Sequence, residues 1–193
     1  MGSFVLSQQH SNGYQVGDKA SDFKLKNIDG NDLSLADFKE VKGFILVFTC
    51  THCPCAAKYE DRIIALDKKY KALGYPVVAI NSLDIVQYPM ESLIRMKGRA
   101  SLKKYTFPYL SDENQEVAVT YGAATTPYIF VLKKSENGLW VKYTGAIDDN
   151  MWEPQSIKEK YVEKAVDQLL AGKDVMTSNT TAFGCTINIR KRE

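Results

Sequence analysis

The chain alternates between short apolar runs and longer stretches in which apolar residues recur at helical spacing. Uninterrupted apolar runs cover residues 44–48 and 77–80, as is typical of strands buried on both faces of a sheet. Between them, the spacing predicts an amphipathic helix from Pro54 to Leu73, which Gly74 ends. A strand, a helix and a strand in this order predict a right-handed crossover between parallel neighbours.

The remaining pattern predicts further strands and helices, which together form a mixed sheet with helices on both faces. A strand and hairpin are predicted over residues 20–34, and an antiparallel hairpin over residues 128–144 with its turn at Gly138. The other predicted elements are helices over 89–104, 115–121 and 157–171 and a short strand over 107–110. The sequence has no repeat and no Pro/Gly/Ser-rich linker, so one α/β domain is expected.

Charge and hydropathy narrow the classes of partner. The 193 residues include 25 Lys and Arg against 23 Asp and Glu, a net charge of +2 that gives no reason to expect nucleic acid or an anionic membrane as partner. No apolar run approaches the roughly 18 to 20 residues of a membrane span. A soluble protein is expected, either cytoplasmic or exported to the periplasm with its signal removed, and the compartment stays open.

The four cysteines indicate chemistry rather than stapling. Cys50, Cys53 and Cys55 lie within six residues, immediately after a predicted buried strand and at the start of a predicted helix. Cys185 stands apart near the C-terminus, where it is either a small packing residue or, if the tail folds back over the site, a relay for oxidation.

The C-x-x-C spacing at a strand-to-helix junction predicts a redox-active dithiol. A helix N-terminus presents unpaired N–H groups and the positive end of its dipole, so Cys50 is expected to be a thiolate with a lowered pKa and to act as the nucleophile. Cys53 would then attack the mixed disulfide and release the product. His52 between the two cysteines would favour the thiolate further.

Metal binding is the alternative reading of the same residues. A structural zinc site needs a second pair of ligands, and beyond the cluster the chain offers Cys185 and His10 alone. Copper(I) is a minor alternative, because Cys50, Cys53 and Cys55 are soft ligands in one short loop. We therefore expect no metal and no other cofactor.

A second motif, Thr126-Pro127, lies just before the strand predicted over residues 128–132. A proline there costs a ladder hydrogen bond unless it occupies a turn or an edge. On local grounds alone a trans peptide bond is favoured, since about 5% of X-Pro bonds in folded proteins are cis.

Together these motifs resemble the thioredoxin superfamily. The hairpin around Asp29-Gly30 resembles that of the AhpC/TSA (redoxin) branch, and the Cys-x-His-Cys-Pro run with Gly184-Cys185 is similar to its peroxiredoxin-like members. The resemblance implies a thioredoxin-like three-layer α/β/α sandwich with an N-terminal β-hairpin extension. It covers residues 17–172 and leaves a flexible N-terminal segment, residues 1–16, and a C-terminal tail, residues 173–193.

The resemblance also assigns roles to the site residues. It implies that Cys50 is the nucleophile, that Cys53 resolves, and that Pro127 is a cis-proline facing the dithiol. Thr126 would offer backbone groups to an extended substrate by strand addition, and His52 is a further expected substrate contact. Cys55 and Cys185 are possible auxiliary thiols.

Departures from the family patterns bear on the reaction. If Cys53 is aligned with the peroxidatic cysteine of peroxiredoxins, Leu46 and Cys50 replace their proline and hydroxyl residue. The buried acid of thioredoxin would fall at Phe44, so water, Glu60 or Asp84 would have to accept the proton of the resolving thiol.

Two functions therefore compete at the level of sequence. The first is thiol–disulfide exchange with a protein or small-molecule thiol or disulfide, by a protein that is monomeric or weakly dimeric. The alternative is a thiol peroxidase in which Cys53 or Cys50 becomes a sulfenic acid and Cys55 or Cys185 resolves it. A copper-binding redoxin is the third reading.

Overall fold

The computed structural model describes residues 13–190, and its centre is an eight-stranded mixed sheet in the order β1-β9-β8-β4-β5-β6-β2-β3. The strands of this sheet are β1 Lys19–Ala20, β2 Lys24–Asn27, β3 Asp32–Ser34, β4 Gly43–Phe48, β5 Val77–Asn81, β6 Tyr109–Ser111, β8 Tyr128–Ser135 and β9 Gly138–Gly145. Two further strands, β7 Thr125–Thr126 and β10 Cys185–Thr186, pair with each other in a separate two-stranded sheet.

The central strand is the apolar run that the sequence predicts. All six residues of β4 are buried, and β4 pairs in parallel with β5 and antiparallel with β8. Helix α1, Pro54–Tyr70, connects β4 to β5, so the predicted crossover between parallel strands is confirmed.

Side chains of β4 alternate between two cores, one on each face of the sheet. Ile45 and Val47 point into the core formed with α1, with α2 (Leu93–Lys103) and with α4 (Tyr161–Leu170). Phe44, Leu46 and Phe48 point into the other core, which α3 (Glu116–Tyr121) and residues of the C-terminal tail cover. Helices on both faces of a mixed sheet, with the β2–β3 hairpin at its edge, confirm the thioredoxin-like α/β fold.

Two predicted helices begin later than the pattern suggests. The helix predicted over residues 89–104 is divided into a 3-10 turn, Pro89–Glu91, and α2, because Ser92 between them is extended at φ −61° and ψ 151°. The helix predicted from residue 157 starts at Tyr161, after a 3-10 turn at Pro154–Ser156. Pro89 begins a separate turn, since its fixed φ suits the first position of a helical segment. The start of α4 is delayed because Ile157 and Lys160 have non-helical backbone angles.

The C-terminal tail returns to the sheet and then to the site. The Thr180 amide donates to the Thr144 carbonyl at 3.0 Å, and β10 then pairs with β7. Residues 1–12, most of the predicted flexible segment, lie outside the described residues, and the domain boundaries remain predictions. Within residues 13–190, no helix combines the length and apolar character of a bilayer span.

Candidate active site

Cys53 is the residue that caps the start of α1. Its backbone is extended at φ −66° and ψ 128°, and Pro54 occupies the first helical position, where a missing N–H costs nothing. The Ala57 amide donates to the Cys53 carbonyl at 3.0 Å and so closes the first turn. The Cys53 side chain therefore lies at the positive end of a helix of 17 residues.

The sulfur of Cys53 is bonded to Cys185, which lies 132 residues away in sequence. Strand β10 brings Cys185 there, because β10 pairs antiparallel with β7 and places Cys185 opposite Thr126. The Thr126-Pro127 peptide bond is cis. The family resemblance implies this bond, whereas the frequency of X-Pro bonds alone favours trans. The Cys50–Cys53 bond that the C-x-x-C spacing predicts is therefore not the one in this structure, since Cys53 already has a different partner.

Cys50 is a free, buried thiol. Its Sγ lies 3.3 Å from Thr126 Oγ1. Burial raises the pKa of Cys50 to about 12, against a hydrogen bond from Thr126 that lowers it, and the charge of Glu91 raises it further. The expected lowered pKa is therefore wrong for this state. The reason is burial, which outweighs the hydrogen bonds that Thr126 and the Cys53 backbone make with the Cys50 sulfur.

Glu91 is a buried acid of the site that the sequence reasoning missed. Its carboxylate accepts hydrogen bonds from the Thr51 amide at 2.7 Å, from the His52 amide at 3.1 Å and from Asn81 Nδ2 at 2.6 Å. It also contacts the Thr51 hydroxyl and His52 Nδ1. Burial raises the pKa of Glu91, but these hydrogen bonds outweigh it and hold the pKa below its usual value.

No local signal in the sequence identifies Glu91, because it lies in a stretch predicted to be an ordinary helix. The acids that the sequence suggested as proton acceptors are engaged elsewhere. Glu60 accepts hydrogen bonds from Arg99 at 2.6 Å and from Tyr105 at 2.9 Å, and Asp84 pairs with Arg190, whose Nε lies at 3.0 Å.

Cys55 places a third sulfur at the disulfide. The Sγ atoms of Cys53, Cys55 and Cys185 all lie within 4.8 Å of one another, and Cys55 is a half-buried free thiol. Reduction of the disulfide would give three thiols of the kind that soft cations prefer. This set differs from the predicted copper ligands, because Cys185 takes the place of Cys50. His10, the other suggested ligand, lies outside the described residues.

Hydrogen bonds hold the tail beyond Cys185 over the site. The Ile187 amide donates to the Ala124 carbonyl at 2.8 Å, and the Ile187 side chain is buried. Gln115 Nε2 donates to the Asn188 carbonyl at 2.9 Å, while Gln115 Oε1 accepts from the Arg190 amide at 2.8 Å. The segment from Cys185 to Arg190, called the strap below, thus covers the disulfide.

Fold and site together define a thioredoxin-fold protein with a disulfide at the start of its first long helix. The chain belongs to the AhpC/TSA family, whose model matches residues 16–142.

A curated relative and two solved structures are similar to this chain. The thiol-disulfide oxidoreductase ResA of Bacillus thuringiensis (strain Al Hakam) is 29% identical over 120 residues, which cover 62% of this chain and 65% of that protein, less than two thirds of its length. An uncharacterized conserved protein from Geobacillus kaustophilus is 34% identical, with a TM-score of 0.86 over 95% of this chain and 96% of that one. The hypothetical protein SMc02350 from Sinorhizobium meliloti 1021 is also 34% identical, with a TM-score of 0.83 over 92% and 96%.

Proposed function

We propose that this protein catalyses thiol–disulfide exchange, with Cys53 and Cys185 as its redox couple and protein or small-molecule thiols and disulfides as its substrates. The observation that carries this proposal is the Cys53–Cys185 bond at the N-terminus of α1. Similarity to a thiol-disulfide oxidoreductase supports it. This proposal keeps Cys53 from the sequence-based pair of Cys50 and Cys53 and replaces Cys50 with Cys185.

The proposed reaction in the reducing direction has two exchange steps. The Cys53 thiolate, favoured by the helix N-terminus, attacks one sulfur of a substrate disulfide. A bond forms between Cys53 and that sulfur, while the other substrate sulfur leaves with the electron pair and takes up a proton. The Cys185 thiolate then attacks Cys53 Sγ, which releases the second substrate thiol and leaves the Cys53–Cys185 disulfide. The substrate gains two electrons and the protein loses two.

The other site residues keep supporting roles in this proposal. Thr126 and Pro127 form the edge beside the disulfide, and His52 lies next to it on the loop that Glu91 holds. Cys50, the nucleophile predicted from the sequence, lies in surroundings that oppose its ionisation and takes no part in these two steps. Cys55 is an auxiliary thiol within exchange distance of the couple.

Serine substitutions test the assignment of the couple. Turnover of insulin with dithiothreitol should be abolished by Cys53→Ser. It should be strongly reduced by Cys185→Ser, which would accumulate mixed disulfides on Cys53. Cys50→Ser is the matched control and should retain most activity. Full activity of Cys53→Ser would overturn the proposal, and loss of activity in Cys50→Ser alone would restore Cys50 as the nucleophile.

A second candidate function is a thiol peroxidase, favoured by the same disulfide. Peroxide oxidises a thiolate to a sulfenic acid, which a second thiol condenses to a disulfide with release of water. Cys53 aligns with the peroxidatic position, and a bond to a distant cysteine is the expected product. Stopped-flow mixing of the reduced protein with hydrogen peroxide tests this, and a rate no faster than that of free cysteine would exclude it.

The compartment, the oligomeric state and the direction of electron flow belong to the same proposal. A cytoplasmic or periplasmic compartment and a monomeric or weakly dimeric state remain predictions from the sequence. The direction of electron flow depends on the reduction potential, for which about 30 mV changes a two-electron equilibrium tenfold.

A further inference from the structure

The C-terminal tail occupies the edge of β7 as an added strand. Cys185 lies opposite Thr126 and Thr186 opposite Thr125, and the Ile187 amide donates to the Ala124 carbonyl at 2.8 Å. This edge is next to the sulfur that would attack a substrate. The chain therefore carries, bonded to Cys53, an extended segment with a cysteine at its centre.

The fit of this segment depends on Gly184. A Cβ atom at position 184 would lie 2.2 Å from the Thr126 carbonyl oxygen and 2.6 Å from its carbon. Gly184 does not have a positive φ, so the requirement for glycine comes from space and not from backbone conformation. The obstructing atoms belong to the backbone beside the cis peptide bond, which cannot move aside as a flexible side chain would.

Burial shows that the tail and an external substrate exclude one another. Cys53 is 3% exposed while β10 is in place, and the edge of β7 beside Cys53 is the one that β10 occupies, with Cys185 opposite Thr126. A substrate strand that pairs with this edge therefore takes the position of residues 184–187.

We propose that the substrate of this site is an extended polypeptide segment in which glycine immediately precedes the redox cysteine, and that residues 184–187 are its tethered counterpart. This inference rests on the proposed function. The backbone of β7 supplies hydrogen bonds that require no particular sequence, and the carbonyl of Thr126 supplies the selection for glycine. The tail and the substrate then occupy the same edge of β7 in turn. Cys185 therefore reaches the mixed disulfide only when the substrate strand begins to leave.

Peptide probes test the selection for glycine on the full-length chain. The probe is the peptide Phe-Gly-Cys-Thr-Ile-Asn, with its cysteine joined to thionitrobenzoate. The Cys53 thiolate attacks the peptide sulfur, a Cys53–peptide disulfide forms, and thionitrobenzoate leaves with the electron pair and is seen by its colour. The protein is the reduced Cys185→Ser variant, and mass spectrometry identifies the labelled cysteine.

The control probe carries valine in place of the glycine. A Cβ there overlaps fixed backbone, so the valine peptide should label Cys53 at least about tenfold more slowly. Both probes should react equally with glutathione, which has no binding edge. Equal rates of the two probes at Cys53 would overturn this inference and leave the proposed function intact. Failure of Cys53 to react faster than glutathione with either probe would instead count against the proposed function.

A substitution in the tail tests the same contact within the chain. Gly184→Ala should weaken the docking of β10, lower the fraction of Cys53–Cys185 disulfide in a glutathione buffer about tenfold, and speed labelling of Cys53 by the glycine probe. Gly98→Ala is the matched control, because a Cβ there meets nothing within 4 Å, and it should change neither quantity. A Gly184→Ala protein with an unchanged disulfide equilibrium would contradict the proposal.

Discussion

Cys50 and Cys53 are three residues apart and equally buried, but Cys50 is a free thiol and Cys53 forms a disulfide. Each is 3% exposed, and both are in contact with Thr126, Cys50 Sγ with its hydroxyl at 3.3 Å and Cys53 Sγ with its carbonyl at 3.9 Å. Cys50 nevertheless stays a free thiol with a raised pKa of about 12. Cys53 caps α1 and is bonded to Cys185.

The difference teaches that two equally buried sulfurs are divided by their partners: burial and the charge of Glu91 oppose ionisation of Cys50, whereas Cys53 is bonded to Cys185. The amides of Thr51 and His52, which could stabilise a charge on Cys50, donate to Glu91 instead. Cys50 therefore has a nearby negative charge, and Cys53 has the positive end of α1. The predictions below act on this contrast, beginning with the largest expected effect.

The largest effect is expected in the alkylation of the two free thiols of the oxidised protein. The pKa of Cys50 is about 12 against an ordinary value of 9.0, which lowers its thiolate fraction at neutral pH about a thousandfold. Greater nucleophilicity of the more basic thiolate recovers part of this loss. Iodoacetamide should therefore label Cys50 about 30- to 60-fold more slowly than an unperturbed thiol, as measured by mass spectrometry.

Cys55 provides the internal reference for this measurement, because it is half-buried and free in the same molecule. It should be labelled well before Cys50. Labelling of Cys50 and Cys55 at similar rates would show that burial and the charge of Glu91 do not suppress the ionisation of Cys50.

The C-x-x-C motif, the central strand and α1 could be predicted because each depends on neighbours in sequence. The apolar run of β4 and the helical spacing of apolar residues in α1 can each be recognised from residues close together in the sequence. The Cys53–Cys185 bond could not be predicted from the motif, since it joins residues 132 positions apart through the pairing of two-residue strands. Such strands are too short to show a pattern.

Glu91 was missed for a related reason. Its partners Thr51, His52 and Asn81 come from two other segments, and none of them marks Glu91 as special in the sequence. The division of the predicted helix 89–104 after the turn Pro89–Glu91 separates Glu91 from α2 and places it at the site loop. Only the packing of that turn against the loop after β4 reveals the acid.

An intermediate effect is expected for Glu91→Gln. The substitution removes a charge that raises the pKa of Cys50, so alkylation of Cys50 should become several-fold faster. It also disrupts a carboxylate that accepts hydrogen bonds from the Thr51 and His52 amides, the Thr51 hydroxyl and Asn81, and should lower the free energy of unfolding by about 1–3 kcal/mol. Thiol labelling and urea denaturation measure the two effects.

Glu60→Gln is the matched control, because Glu60 is equally buried but bonded to Arg99 and Tyr105. It should destabilise the protein without changing the reactivity of Cys50. An increase in Cys50 labelling of the same size in both variants would mean that loosened packing, and not the charge of Glu91, controls the thiol.

The pH dependence of the Glu91 effect has a definite sign. The folded-state pKa of Glu91 is lowered below 4.5, so its contribution to stability is present above that value and is lost as the pH falls through the folded pKa. The difference in unfolding free energy between the natural chain and Glu91→Gln should therefore shrink below about pH 4.5. A difference that grows on acidification would contradict the lowered pKa.

The smallest effect is expected at the end of the strap that brings Cys185 to Cys53. Arg190 donates to Asp84 through Nε at 3.0 Å, and its side chain is 44% exposed. Solvent weakens such a pair, so Arg190→Ala should lower the fraction of Cys53–Cys185 disulfide in a glutathione buffer by less than about fivefold. Arg95→Ala, at an exposed position of α2, should leave the fraction unchanged. A loss as large as that expected for Gly184→Ala would show that the ion pair, and not strand pairing on β7, holds Cys185 at the site, because Arg190→Ala removes the ion pair whereas Gly184→Ala disturbs the pairing of β10 with β7.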